Sequence, residues 1–196
     1  LDDLDGEIRY NGVVYNEMKG AFSSPEQQLY RLIQHSLYPD TAYGTESGGD
    51  PDCIPDLTYE DYLNFHRRYY HPANSYIYLY GDVDIEEKLD WMDQEYLRHF
   101  DKITIDSVIH KQSPFTQMQE ITEYYPIAEE ESSEEKTYLS YNVSIGTSLD
   151  RKIYLAFQVL DYVLLDAPGA PLKQALLDAG IGQDIISSFD NGMLQP

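Results

Sequence analysis

Three short runs fix where helices begin, and they constrain this chain more than anything else in it. In Ser24-Pro25-Glu26-Gln27, Ser24 can cap, Pro25 suits the first helical position, and Gln27 completes a capping box. Thr58 with Asp61, and Asp84 with Glu87, repeat the spacing. Behind Ser24, residues Leu29, Leu32, Ile33 and Leu37 form one apolar face; behind Asp84 the stripe is Ile85, Leu89, Met92 and Tyr96. Pro39-Asp40 and Pro72 end the first two helices. An earlier helix is predicted from Gly12, on the stripe Val14, Met18 and Ala21/Phe22. Two later ones run from about Asp150 to Leu165 and over Leu172–Ala179, the last closed by Gly180.

Between the helices the period changes to two. Tyr76, Tyr78 and Tyr80 alternate with Ile77 and Leu79, and Leu139, Tyr141, Val143 and Ile145 share one face of Thr137–Ile145. These segments, with Asp184–Phe189, are predicted strands, the first two in different sheets. Asp190-Asn191-Gly192 is a hairpin-turn signal. The expected fold is α+β, with helices packed on largely antiparallel sheets. Residues 1–100 are expected to end a first domain and residues 137–196 to begin a second, the chain being truncated at both ends. The stretch 101–136 is expected to be an irregular or extended linker, its Glu129, Glu130, Glu131, Glu134 and Glu135 a solvated, self-repelling run.

Charge narrows the function. The chain carries 35 Asp and Glu against 13 Lys and Arg, a net of −22, which repels phosphate backbones and anionic lipid. No run approaches the length of a membrane-spanning helix. Cys53 is the only cysteine, so no internal disulfide framework exists. The composition reads as a soluble, acidic, intracellular chain, with no nucleic-acid or membrane partner expected. The glycines of Ser47-Gly48-Gly49-Asp50-Pro51 lack the spacing and the following lysine of a phosphate cradle.

Five histidines and one cysteine do not suffice for a self-contained structural zinc site. His66 and His71, five apart, would sit about 140° apart on a helix and could not share a metal. His35, His99 and His110 stand alone, and neither H-E-x-x-H nor H-x-x-E-H occurs. Each histidine reads as structural or as a surface residue, and nothing resembles a nucleophile elbow. Glu17 differs: it lies beside Met18, on or near the apolar side of its helix. A carboxylate there is either solvated at the edge of the stripe or buried against a cation, because burying it unpaired costs several kcal/mol.

The run Gly12-Val13-Val14-Tyr15-Asn16-Glu17-Met18-Lys19-Gly20-Ala21-Phe22-Ser23-Ser24-Pro25 resembles the block carrying the third zinc ligand of insulinase/pitrilysin-type metallopeptidases. Within that family it is most similar to the presequence-protease branch. Tyr43-Gly44-Thr45-Glu46-Ser47-Gly48-Gly49-Asp50-Pro51, Ile54-Pro55-Asp56-Leu57-Thr58, His66-Arg67-Arg68-Tyr69-Tyr70-His71-Pro72-Ala73-Asn74-Ser75 and Tyr80-Gly81-Asp82-Val83-Asp84 resemble the same branch, in its order and spacing. Residues 120–196 are similar, more weakly, to the start of the family's second domain.

The resemblance implies a zinc metalloendopeptidase. Two histidines of an inverted H-x-x-E-H motif and a distal glutamate hold the metal, and the glutamate inside the motif activates a zinc-bound water. Glu17 matches the distal ligand. The inverted motif is expected upstream and the intermediate-stabilising Arg and Tyr groups in the C-terminal half, so no catalytic residue is expected in these 196 residues. Zinc is then a cofactor of the longer parent, not held by this chain alone, which should be inactive by itself. Peptides enclosed in a chamber are the expected substrates; the acidity either favours basic ones or serves plain solubility. The remainder of the polypeptide is the expected partner, and self-association through truncated faces is expected of the isolated chain. The implied compartment is a bacterial cytoplasm, or an organelle matrix if the source is eukaryotic. Two other readings stay open: a non-catalytic, partner-binding subunit of the same family, against which the retained Glu17 argues, and a generic acidic interaction domain.

Overall fold

A computed structural model describes Gly6 and Ile8–Pro196. Among the described residues there are six α-helices: α1 (Val13–Ala21), α2 (Pro25–Leu37), α3 (Tyr59–Tyr69), α4 (Ile85–Glu95), α5 (Arg151–Asp161) and α6 (Pro171–Asp178). Their starts follow the sequence closely. Ser24 Oγ accepts from the Gln27 N–H, Thr58 Oγ1 from Asp61 N–H at 3.1 Å, and Asp84 Oδ1 from Glu87 N–H at 3.1 Å. Each cap satisfies one of the main-chain donors that a first helical turn leaves without a partner. Asp150 caps α5 twice, accepting from Lys152 and Ile153 N–H at 3.0 and 3.2 Å.

Helix ends obey the same local chemistry. Gly180 takes φ 67°, its N–H donates to the Leu177 carbonyl at 3.0 Å, and Ile181 N–H donates to the Leu176 carbonyl at 3.3 Å. That pair of bonds is the Schellman closure, and it needs a residue able to enter the left-handed region at position 180. α5 does not stop cleanly: it widens into one π turn over Tyr162–Asp166, sealed by Ala167 N–H donating to the Tyr162 carbonyl at 2.7 Å.

The α+β expectation fails. Among the described residues no strand is formed: Tyr76–Tyr80, Thr137–Ile145 and Asp184–Phe189 are all outside any ladder. The period-two pattern specifies an uncoiled chain with two unlike faces, but a strand also requires a neighbouring chain in register to take its N–H and C=O groups. No described segment supplies one. Two main-chain bonds link distant residues, Ile145 N–H to Pro196 O at 2.7 Å and Ser148 N–H to Leu194 O at 2.9 Å, too few to build a sheet. Tyr76, Tyr78 and Tyr80 accordingly stand open to solvent, with Ile77 and Leu79 half covered. The hairpin expected around Asn191-Gly192 is reduced to a turn held by Gly192 N–H on Asp190 Oδ1 at 3.0 Å.

The chain divides into two compact units, one of Leu1–Lys19 with Gly48–Val108, the other of Gly20–Ser47 with Ile109–Pro196. In the first unit α4 packs on a short 3-10 turn, Leu97–His99, and Phe100 gathers the rings of Tyr96 and His71 at 4.9 and 5.2 Å. In the second, α2 packs on the turn Ala42–Gly44, and the π turn joins α5 to α6. Tyr38, Gln112, Ala170 and Pro196 are the buried residues among those described, and all four belong to the second unit. Residues 101–136 contain no helix. No helix is long and apolar enough to cross a membrane among the described residues.

Candidate functional site

Glu17 sits in the middle of α1, exposed, and makes no hydrogen bond or ion pair among the described residues. Of the two environments open to a carboxylate at this position, the structure takes the solvated one. Its neighbours do the packing instead. The Met18 thioether lies against Gly48, where an added Cβ would come within 2.3 Å of the sulfur. Tyr15 and Tyr10 meet ring to ring at 5.9 Å. Asn16 Nδ2 donates to Asn11 Oδ1 at 2.9 Å, and Asn16 N–H donates to the Gly12 carbonyl at 2.9 Å. The first turn of α1 is therefore tied to the chain that enters it, and Glu17 projects from a braced segment.

No group of three or more His, Cys, Asp or Glu that could hold a metal exists among the described residues. One carboxylate does not make the tetrahedral cage of a zinc site, so the residues present do not by themselves fit the metal.

The histidines lie elsewhere. A hollow of about 560 Å³ at the end of α3 is lined by Phe65, His66, Tyr69, Tyr70, His71 and Tyr96, with Asn74 and Ser75. His66 stacks on Tyr70 at 4.6 Å, and Phe65 tilts against Tyr69 at 4.8 Å. His71 Nδ1 accepts from Ala73 N–H at 3.0 Å, capping the 3-10 turn Pro72–Asn74. Asn74 is locked from both ends, donating to the Tyr69 carbonyl at 3.0 Å and accepting from Ser107 Oγ at 2.7 Å. These partners give His66 and His71 structural work.

The most connected polar cluster was not visible in the sequence. Gln112, buried, donates from Nε2 to Asp40 Oδ2 at 2.6 Å and accepts Asp40 N–H on Oε1 at 2.9 Å. Its own N–H donates to Gln195 Oε1 at 2.5 Å, and Tyr38 OH donates to the Gln195 carbonyl at 2.5 Å. Tyr43 OH accepts Leu194 N–H at 3.0 Å. Burial pushes the Tyr38 phenol above its ordinary pKa. Nearby on α2, burial and the Asp190 carboxylate, 3.4 Å from the hydroxyl, raise Tyr30 as well. No periodicity announces an isolated glutamine in an uncoiled stretch. The arrangement binds chain to chain and offers no open position to a substrate.

Residues 56–195 match the family model described as "Peptidase M16 inactive domain". This chain belongs to the peptidase M16 family. It is 51% identical over 195 residues to "Protein HypA" of Clostridium perfringens, a match covering all of this chain and 20% of that protein. It is 39% identical over 200 residues to "Presequence protease 1, chloroplastic/mitochondrial" of Arabidopsis thaliana, covering all of this chain and 18% of the relative. To "Presequence protease, mitochondrial" of Schizosaccharomyces pombe it is 35% identical over 195 residues, 97% of this chain and 19% of the relative. The chain thus spans about a fifth of the length of the curated relatives it matches. Glu17 lies outside the stretch that the inactive-domain model covers.

Proposed function

We propose that this M16 chain is part of a longer zinc-dependent metalloendopeptidase, to which it contributes one metal ligand, Glu17, and a non-catalytic scaffold. The observation that carries this reading is the contrast within the chain. The inactive-domain match takes in residues 56–195, whereas Glu17 falls outside it, on a braced helix and with its carboxylate unpaired among the described residues. A carboxylate left free on a fixed helix suits a ligand waiting for the rest of a site. Zinc supplies a Lewis acid and an activated water when bound. The remaining ligands and the general base would come from other parts of the polypeptide.

Peptides are the proposed substrates, basic ones favoured. Relatives of this chain are named presequence proteases, and targeting presequences are amphipathic, rich in arginine and poor in acids. A net charge of −22 complements such a peptide. The compartment that goes with this reading is a bacterial cytoplasm or an organelle matrix.

The test compares three samples: the full-length protein, its Glu17→Gln variant, and these 196 residues alone. Elemental analysis and a fluorogenic-peptide assay should find zinc and hydrolysis in the first only. A zinc-replete, active Glu17→Gln protein would remove the ligand assignment. Stoichiometric zinc or hydrolysis by the 196 residues alone would mean a site among His35, His66, His71, His99 and His110. A second reading, a non-catalytic subunit, draws on the inactive-domain description; a metal-free, inactive full-length protein would favour it.

A further inference from the structure

Two Asn-Gly pairs occur in the chain, Asn11-Gly12 and Asn191-Gly192, and the structure sets them in opposite chemical situations. We propose that Asn11 is a site of spontaneous deamidation, with Asn191 protected. The reaction is attack by the backbone nitrogen of the following residue on the asparagine Cγ. The N–Cγ bond forms, the Cγ–Nδ2 bond breaks, and ammonia leaves with the proton taken from the attacking nitrogen. The five-membered succinimide is then opened by water at either carbonyl, giving Asp or isoaspartate at position 11.

Four features at Asn11 favour the reaction. Both residues are exposed, in the uncoiled stretch just ahead of α1. Gly12 has no side chain to obstruct the approach, and its N–H has no acceptor among the described residues. Asn16 Nδ2 donates to Asn11 Oδ1 at 2.9 Å, the oxygen that gathers negative charge as the tetrahedral intermediate forms. At Asn191 the nucleophile is spoken for. Gly192 N–H donates to Asp190 Oδ1 at 3.0 Å, and a carboxylate so placed opposes loss of that proton. Asn74 serves as an unreactive reference, because its nucleophile, the Ser75 N–H, donates to the Pro72 carbonyl at 3.2 Å and a serine side chain follows it.

The products differ in consequence. Aspartate would add a negative charge at the N-terminal end of α1, where the helix field welcomes it. Isoaspartate lengthens the main chain by a methylene and carries the side chain away from Asn16, undoing the brace below Glu17.

The test is peptide mapping by mass spectrometry of the full-length protein, held at mildly alkaline pH. Asn11 should show the amide-to-acid mass gain several-fold sooner than Asn191, with Asn74 unchanged. Gly12→Ala should slow conversion of Asn11 several-fold. It is a safe change, because its Cβ would meet only Tyr15 Cβ at 3.8 Å, an ordinary contact. Asn16→Ala should slow it too. Asn11 intact while Asn191 converts would overturn the proposal, as would wild-type rates in both variants. The readout is a mass at one residue and does not depend on zinc or on peptidase activity.

Discussion

Gln112 and Asp40 face each other through two hydrogen bonds, amide to carboxylate at 2.6 Å and main-chain N–H to amide oxygen at 2.9 Å, across 72 residues of sequence. Gln112→Ala strands both groups of Asp40 and opens space at a buried point. A loss of about 1–3 kcal/mol is expected, the usual cost of a hydrogen-bonded group left unsatisfied. Gln112→Glu should cost more at neutral pH, since two carboxylates would then share the contact, and should recover as acid protonates one of them. Hydrogen exchange at the Asp40 amide reads both; unchanged protection in Gln112→Ala would refute the clasp.

Asp150 carries two main-chain donors of α5, and Asp150→Ala is expected to destabilise by about 1 kcal/mol, the typical cost of removing a cap. Asp150→Ser should restore most of it. Circular dichroism through a urea titration measures the difference, and equal midpoints for wild type and Asp150→Ala would contradict the assignment.

Tyr138 OH donates to Glu26 Oε1 at 3.1 Å, and the pair should respond to pH at both ends. Glu26 is held below the ordinary glutamate pKa by the Ser24 hydroxyl first, then by its own backbone N–H, then by Tyr138. A lowered acid contributes stability above its unfolded value and loses it as pH falls through the folded one. Tyr138 is raised, chiefly by Glu26, so its contribution is full below the ordinary tyrosine range and disappears as pH climbs through the raised value. The tie is therefore strongest between those limits. An NMR titration should show Ser24→Ala moving Glu26 upward further than Tyr138→Phe does, and the reverse order would be wrong for this geometry.

Among the described residues, α3 exposes Tyr59, Tyr62 and Phe65, and the uncoiled segments expose Tyr76, Tyr78, Tyr80, Leu139 and Tyr141. Apolar groups so arranged invite association. The isolated 196-residue chain should self-associate in light scattering, increasingly with concentration and with added sulfate. A monodisperse monomer at high concentration would be the contrary result.

The helices were legible because their signals act within four residues. Ser24, Thr58, Asp84 and Gly180 each meet a main-chain group in the adjoining turn, whatever the rest of the molecule does. The predicted strands failed for the converse reason. Tyr76, Tyr78 and Tyr80 announce two faces of an uncoiled chain, but a ladder is a property of two segments, and alternation describes one. Gln112 was invisible because its partners, Asp40 and Gln195, are 72 and 83 residues away. For Glu17 the sequence left a solvated and a buried setting open, because a stripe edge is compatible with both, and the structure takes the exposed one.

The interleaving of the two units has a consequence for synthesis. The first unit holds all its residues once Val108 has been made, but residues 20–47 belong with Ile109–Pro196. Tyr30 of α2 finds Asp190 across 160 residues, and Glu26 finds Tyr138 across 112. At about 5–20 residues per second, a ribosome needs on the order of ten seconds or more to deliver those partners. Through that interval α2 has only the turn Ala42–Gly44 of its own unit to rest on, which makes residues 20–47 a stretch that a chaperone would hold until Tyr138 and Asp190 are made.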